Sequence, residues 1–138
     1  MFLTTKTIFL FWLLIQPSSG SFLRPKTIVT VRNNLEGGPD LFLHCKSAEN
    51  DLGVQDLHPN CSFSWTFQIN FFRTTLFHCS FQWEYVLHKF DIYEARRDAD
   101  TCDTCSWEVK KDGPCMLFSD KSICYHWDVK EKEWVCFQ

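Results

Sequence analysis

Eight cysteines in a chain of 138 residues constrain the fold more than any other feature of this sequence. An even number of cysteines in a small secreted chain indicates a framework of disulfide bonds, and eight cysteines allow about 105 pairings. Such frameworks are typical of extracellular domains and rare in the cytosol. We therefore expect all eight to be structural disulfide cysteines, namely Cys45, Cys61, Cys79, Cys102, Cys105, Cys115, Cys124 and Cys136.

The N-terminus has the layout of a secretory signal peptide. Lys6 precedes an apolar block at residues 7–15, and the small residues Ser18 and Gly20 occupy positions −3 and −1 of a cleavage site after Gly20. The apolar block is too short to span a membrane, which takes roughly 20 residues. We predict a signal peptide at residues 1–20, one secreted, extracellular domain at residues 21–138, and no membrane insertion of the mature chain.

The charge balance argues against two classes of function. Fourteen Lys and Arg residues stand against 17 Asp and Glu residues, a net charge of -3, and removal of Lys6 with the signal peptide makes the mature chain more acidic. Proteins that bind nucleic acid through the phosphate backbone carry a basic face, so we expect no nucleic-acid partner. Membrane-active proteins usually carry clustered cations, which argues against the alternative of a secreted defence or antimicrobial protein.

Apolar and polar residues alternate along most of the mature chain, which indicates half-buried β-strands. In Phe63–Ile69 four apolar residues face one side and three polar residues the other, and Phe77–Trp83 repeats the pattern. Shorter stretches of the same kind are Ile28–Val31, Leu41–Cys45, Phe90–Tyr93, Trp107–Lys110 and Cys124–Val129. No segment shows a helical stripe over three turns. Because a single sheet would leave the large aromatic residues uncovered, the sequence predicts an all-β fold, a small disulfide-stapled antiparallel β-sandwich of about seven or eight strands.

No catalytic motif is present, so we expect no enzyme, no cofactor and no metal site. The pair Cys102-x-x-Cys105 could be redox-active, but its flanking residues Asp98, Asp100 and Asp103 would raise a thiol pKa, and a structural disulfide is favoured. The same three carboxylates could hold calcium, yet the EF-hand spacing and its glycine are absent. A solvated acidic loop is the simpler interpretation.

In a β-sandwich the residues that bind a partner usually lie in the loops, because the strands form the rigid scaffold. The predicted contact loops are Glu36–Asp40, Lys46–Pro59, Glu94–Thr101 and Lys110–Gly113. The candidate recognition residues within them are Glu49, Asp51, Arg96, Arg97, Asp98, Asp100, Lys110 and Lys111. In addition, Asn60-Cys61-Ser62 matches the acceptor motif for N-glycosylation, with Asn60 as the acceptor.

Several blocks in order resemble the plant self-incompatibility S1 family, the S-protein homologues. The most specific block is Asn70–Trp83, which reads Asn-Phe-Phe-Arg-Thr-Thr-Leu-Phe-His-Cys-Ser-Phe-Gln-Trp. The others are Leu43–Ser47, Asp51–Gly53, Phe90–Tyr93, Cys102–Trp107, Asp112–Cys115 and Cys124–Trp127. The resemblance implies a secreted, disulfide-bonded β-sandwich that acts as a signalling ligand for a cell-surface receptor in cell-to-cell recognition, in reproduction or development.

The chain departs from the pattern of this family in three places. The usual acidic run is diluted to Glu49-Asn50-Asp51, Asn60 stands where a glycine is usual, and the chain continues past Trp127. Six cysteines fall at family positions, whereas Cys61 and Cys136 are additional. From this parity we predict that Cys61 and Cys136 pair with each other.

Overall fold

The structure is a computed structural model that describes residues 25–127, within which nine strands and one helical turn form. The predicted signal peptide lies outside the described residues. The elements are β1 (Lys26–Asn33), β2 (Leu41–Lys46), β3 (Asp51–Leu57), β4 (Ser62–Gln68), β5 (Leu76–Trp83), β6 (Val86–Glu94), α1 (Ala95–Asp98), β7 (Thr104–Lys110), β8 (Gly113–Leu117) and β9 (Ser122–Cys124).

The strands form two sheets, which confirms the predicted β-sandwich. One sheet has the order β4-β1-β7-β8-β9 and the other the order β3-β2-β5-β6. One neighbouring pair, β1 and β7, is parallel, which is a local departure from the predicted antiparallel arrangement. The two strands start at the same end of the molecule and come together only after the chain has built the second sheet, and nothing local in their sequences specifies that direction.

The apolar residues of the alternating stretches are the ones that the strands bury in the core. Along β5 the side chains of Phe77, Cys79, Phe81 and Trp83 are buried, while those between them face outward. Strand β1 follows the same rule with Val29 and Val31, and β7 with Trp107 and Val109. The two inner faces together bury apolar side chains in one cluster, and this burial is the main driving force for folding.

A β-bulge lets strand β6 depart from strict alternation. The register shifts opposite Phe77 and His78, so that Ile92 has no single partner, and both Ile92 and Tyr93 are buried. A bulge adds one residue to one strand and turns consecutive side chains toward the same side. Burial, as the largest effect, raises the pKa of Tyr93.

Three disulfide bonds lie within the sheets or beside them. Cys45–Cys79 joins the neighbouring strands β2 and β5, and Cys115–Cys124 joins β8 and β9. Cys102–Cys105 closes the short segment that leads into β7. Among residues 25–127 no disulfide connects the two sheets, so side-chain packing holds the sheets together.

The sequence analysis predicted a strand for Cys124–Val129, but residues 125–127 are not part of a strand, and residues 128–129 lie outside the described residues. Strand β9 ends at Cys124, and residues 125–127 cross over the start of β8 instead. They pass so close to Gly113 that a Cβ atom there would overlap the backbone carbonyl of Tyr125. This approach requires glycine at position 113, and it brings Trp127 into the core with 2% of its surface exposed.

Candidate functional site

The loops of the sandwich gather at two ends. What we call the Phe71 end comprises residues 47–50, 69–75, 95–103 and 118–121, and the Tyr85 end comprises residues 34–40, 58–61, 84–85 and 111–112. The predicted contact loops divide between them. Glu94–Thr101 lies at the Phe71 end, whereas Glu36–Asp40 and Lys110–Gly113 lie at the Tyr85 end. One partner surface would therefore contact only part of the predicted set.

The segment Lys46–Pro59 is not the loop that the sequence analysis predicted. Its centre is strand β3, which pairs with β2. The polar residues Asp51, Gln55 and Asp56 and the open position Gly53 hid this strand, because β3 is an edge strand with mostly exposed side chains. Edge strands of this kind lack the apolar alternation of central strands.

The β4–β5 loop, residues 69–75, is held in one conformation by Asn70. Its side-chain amide donates to Thr74 Oγ1 at 2.7 Å, its side-chain oxygen accepts from the backbone N–H of Thr74 at 2.8 Å, and its backbone N–H donates to Thr75 Oγ1 at 2.8 Å. Arg73 has a positive φ of 55° and donates its N–H to the carbonyl of Asn70. The loop is therefore a built turn with internal hydrogen bonds.

Phe71 and Phe72 project from this loop into solvent. They are 77% and 79% exposed, and their rings meet edge to face with centroids 5.4 Å apart. Two adjacent phenylalanines with this exposure are costly to keep in water unless another molecule covers them, and aromatic residues are enriched at the centres of interfaces. Sequence reasoning used this stretch as a family motif and missed it as a site. The signal was present, since Phe71-Phe72 breaks the alternation between two regular strands.

A second set of contacts ties the loop to the segment after α1. The Arg73 guanidinium donates to both carboxylate oxygens of Asp100, at 2.8 and 3.3 Å. The hydrogen bond and the charge of Arg73 lower the pKa of Asp100, and the same pair raises the pKa of Arg73. Asp100, a predicted recognition residue, therefore positions the β4–β5 loop.

Two open grooves flank the loop. The larger, about 470 Å³, lies between the β4–β5 loop and residues 47–50, and Glu49 lines it. The smaller, about 300 Å³, lies between Arg73 and the start of α1, and Arg96 lines it. The predicted residues Glu49 and Arg96 thus each line a groove that residues of the β4–β5 loop also line.

Asp51 lies at the edge of the same end in a local hydrogen-bond network. Its carboxylate accepts from the backbone N–H of Gly53 at 2.9 Å and lies 2.6 Å from Nε2 of His44. The bond from Gly53, followed by the bond to His44, lowers the pKa of Asp51. Asp51 is exposed, so it can still contact a partner.

Two of the predicted recognition residues, Arg97 and Asp98, point inward. Asp98 is 1% exposed and accepts two hydrogen bonds from the Arg97 guanidinium, at 2.7 and 2.8 Å. Its carboxylate also accepts from the backbone N–H of Glu94 at 2.9 Å. Burial works to lower the pKa of Arg97, but the hydrogen bond and charge of Asp98 raise it. The assignment of Asp98 to a recognition surface was wrong, because the helical turn rotates it under the sheet.

Lys110 and Lys111 are at the Tyr85 end, far from the Phe71–Phe72 pair. Lys110 is half-buried, and Lys111 donates its backbone N–H to Glu36 at 3.2 Å.

Asn60, the predicted glycosylation acceptor, is exposed at the same end with a φ of 65°, and its side-chain oxygen accepts from Arg32 at 3.4 Å. Glycosylation of Asn60 stays a prediction.

Six of the eight cysteines form the expected disulfides, including the pair Cys102–Cys105. Cys61 is an exposed free thiol, and Cys136 lies outside the described residues. The predicted Cys61–Cys136 bond is therefore not part of the structure and stays a prediction.

The calcium alternative weighed for the acidic loop does not fit the structure, because Asp98 faces Arg97 inside the protein. Within residues 25–127 the one group of side chains with metal-ligand proximity is Asp40, Asp56 and His58, all exposed. His58 lies 3.0 Å from Asp40, and this hydrogen bond, followed by the charges of Asp40 and Asp56, raises the pKa of His58. The ion pair between His58 and Asp40 accounts for the close approach of these two side chains.

Comparison with known proteins decides the family. The sequence profile of the family described as plant self-incompatibility protein S1 matches residues 28–127. The chain belongs to this family. S-protein homolog 5 of Arabidopsis thaliana is 48% identical over 101 residues, which cover 73% of this chain and 77% of that protein. S-protein homolog 3 of the same plant is 42% identical over 109 residues, covering 73% of this chain and 72% of that protein.

The fold has a counterpart among solved structures. A chain from the SPH (Self-Incompatibility Protein Homologue) proteins, described as small, highly stable, secreted proteins from plants, superposes with a TM-score of 0.55. It is 17% identical, and the match covers 75% of this chain and 96% of that chain. At this identity the likeness shows the fold alone. Within residues 25–127 the structure contains no helix that is long and apolar enough to cross a membrane.

Proposed function

We propose that this S1-family protein is a secreted signalling ligand that binds a cell-surface receptor protein through its Phe71 end. The observation that carries the proposal is the pair of exposed rings, Phe71 and Phe72, on a loop that Asn70 and the Arg73–Asp100 contact hold in place. Binding energy in protein interfaces concentrates in a few aromatic and arginine residues, and a preformed loop loses little conformational freedom on binding.

The surroundings of the two rings support a protein partner. Glu49 and Arg96 line the two grooves beside the β4–β5 loop, so residues of both charges border the loop that carries the rings. An apolar centre with a polar rim is the usual anatomy of a protein interface. Rim charges chiefly set the association rate and the choice of partner. The three disulfides and the solved relative described as secreted support action outside the cell.

Replacing both phenylalanines, F71A/F72A, should weaken binding to intact plant cells by about tenfold or more, because each ring would lose a buried contact worth over 1 kcal/mol. The measurement is a saturation curve of labelled protein on cells from reproductive and vegetative tissues. Tyr85→Ala is the matched control, since Tyr85 is a fully exposed aromatic residue at the opposite end, and it should bind like the wild type.

Circular dichroism of each variant establishes that the fold is kept. Saturable binding that Tyr85→Ala reduces as much as F71A/F72A does would contradict the assignment to the Phe71 end. Absence of saturable binding to every cell type tested would contradict the receptor-binding function itself.

A further inference from the structure

Strand β4, Ser62–Gln68, is an edge of its sheet. In the part of the chain that the structure describes, its one neighbouring strand is β1, and the seven residues of β4 pair with β1 without a break in register. The strand reads Ser-Phe-Ser-Trp-Thr-Phe-Gln and contains no charged residue, no proline and no glycine. A long, regular edge of this composition is a template on which another strand can pair.

The other sheet edges carry features that oppose such pairing. Strand β3 carries Asp51 and Asp56, and its register with β2 is broken. Strand β6 contains the bulge, and the carbonyl of Asp91 already accepts from Arg97. Strand β9 has three residues. Charges, bulges and short length are the means by which natural proteins protect sheet edges, so among the described strands β4 is the edge left unprotected.

The hydrogen bonds of β1 show which of its residues bond to β4. The N–H of Ile28 donates to the carbonyl of Asp103, just before β7, whereas the N–H of Asn33 donates to the carbonyl of Cys61, just before β4. Successive residues of a strand direct their N–H and C=O groups to opposite sides. Even-numbered residues of β1 therefore bond to β7, and odd-numbered residues bond to β4.

The same alternation shows which residues of β4 face the open side of the sheet. Val29 lies opposite Trp65, so odd-numbered residues of β4 bond to odd-numbered residues of β1. Ser64 and Thr66, on either side of Trp65, direct their N–H and C=O groups away from β1, and no strand among residues 25–127 lies there to receive them. The outer edge of β4 can therefore accept one more strand.

We propose that β4 pairs with β4 of a second copy of this chain, antiparallel and about a two-fold axis at Trp65. The strand is nearly symmetric about this residue, because a hydroxyl residue and then a phenylalanine follow on either side, namely Ser64 and Thr66 and then Phe63 and Phe67. A two-fold interface requires a surface that is complementary to itself, and this symmetry supplies it. For this reason a second copy fits the edge better than a strand of another protein.

The backbone groups fit this register. Ser64 and the partner's Thr66 exchange their N–H···O=C bonds as a hydrogen-bonded pair, and the two-fold axis repeats this pair on the other side of Trp65. Phe63 and the partner's Phe67 form a pair without backbone bonds, in which the side chains come closer together. Both rings are only partly buried in the single chain, and cross-strand aromatic pairs stabilise a sheet.

The charges of the neighbouring strand do not oppose the contact. Arg32 and Lys26 of β1 lie one strand behind the edge, and in the dimer Arg32 is separated from the partner's Lys26 by three strand spacings. That distance is about 15 Å, which is longer than the screening length of about 8 Å at physiological salt. The like charges of the two β1 strands are therefore screened from each other.

The contact is small, which sets its strength. The strand spans roughly 20 Å along the edge, and interfaces that bury less than about 1,200 Å² are usually weak or transient. We therefore expect a dissociation constant between about 1 and 100 µM. The antiparallel arrangement directs the two Phe71 ends to opposite sides of the dimer. The inference does not depend on receptor binding, since the pairing of β4 involves neither Phe71 nor Phe72.

Sedimentation equilibrium of the secreted, oxidised protein at about 1 to 500 µM tests the inference. The expected result is a reversible equilibrium between one copy and two. The mass of a single copy at every concentration, or an assembly larger than two copies, would overturn it. A dimer that persists on a denaturing, non-reducing gel would also overturn it, because an intermolecular disulfide would then hold the copies together.

Two charge variants locate the contact. In S64K/T66K each lysine faces a lysine of the other copy, so the dissociation constant should rise by about tenfold or more, because like charges directly opposite each other destabilise a sheet. In S64E/T66K a glutamate faces a lysine, and the dimer should form as in the wild type. Both variants lose the hydrogen bond between the hydroxyls of Ser64 and Thr30, 2.7 Å long, so the comparison isolates the charge.

Val54→Lys is the matched surface control, at an exposed position of the edge strand β3, and it should dimerise like the wild type. Circular dichroism establishes that each variant keeps the fold. Equal dissociation constants for S64K/T66K and S64E/T66K, or a loss in Val54→Lys as large as in S64K/T66K, would overturn the assignment of the dimer contact to β4.

Discussion

The double substitution C45A/C79A should lower the free energy of unfolding by about 4 kcal/mol and the melting temperature by about 15 °C. The bond closes a loop of 34 residues between β2 and β5, and both cysteines are 1% exposed in the core. Without the bond the unfolded chain gains the entropy of that loop, and the core loses two well-packed sulfur atoms. Thermal unfolding of the non-reduced variant, followed by circular dichroism, measures the loss.

The control is C102A/C105A, which removes the bond that spans only three residues. The entropy of loop closure grows with the logarithm of loop length. We therefore expect the loss of unfolding free energy in this variant to be about 2 kcal/mol smaller than in C45A/C79A. Equal losses in the two variants, or the reverse order, would show that loop closure is not the source of the stabilisation.

Asp98→Ala should lower the free energy of unfolding by about 3 kcal/mol, because it leaves the Arg97 guanidinium without its carboxylate partner. The Arg97 side chain cannot readily reorient into solvent, because several contacts hold it. It lies over the rings of Phe90, Trp107 and Tyr125, with its central carbon 5.4–5.6 Å from each ring centre, and it also donates to the carbonyl of Asp91. Urea unfolding of the oxidised protein measures the loss.

Asp100→Ala is the matched control, two residues further along the chain. Asp100 is 80% exposed, and its ion pair with Arg73 is open to solvent, where such pairs contribute little to stability. The unfolding midpoint of this variant should stay at the wild-type value. A midpoint for Asp98→Ala that also stays unchanged would contradict the structural role of the Arg97–Asp98 pair.

These two aspartates show where sequence reasoning reached its limit. Asp98 and Asp100 occur in the same charged stretch, and the same charge pattern assigned both to a recognition surface. One helical turn, α1, rotates Asp98 beneath the sheet and leaves Asp100 outside. A four-residue helix is too short to produce a periodic signal, and most of its stability comes from tertiary contacts.

The strands were predictable to the extent that they have one buried face. Phe77–Trp83 and Leu41–Cys45 lie in the centre of their sheet, and burial imposed alternation on both. Strand β3 at the sheet edge and strand β8, which contains Pro114, lack that pattern and were not predicted. The sequence predicted that these six cysteines form disulfides. Which cysteine bonds to which became known only from the structure, which shows the strands that are neighbours.

By itself the sequence determined the β-sandwich and the family, because alternation and ordered motifs are properties of residues close together in the chain. Only the tertiary structure decided which loops share an end of the molecule, that β1 and β7 run parallel, that Asp98 is buried, and that Phe71 and Phe72 stand together on a rigid turn. The physical reason is that these features depend on how distant segments pack. Packing is set by the free energy of the whole core rather than by any local pattern.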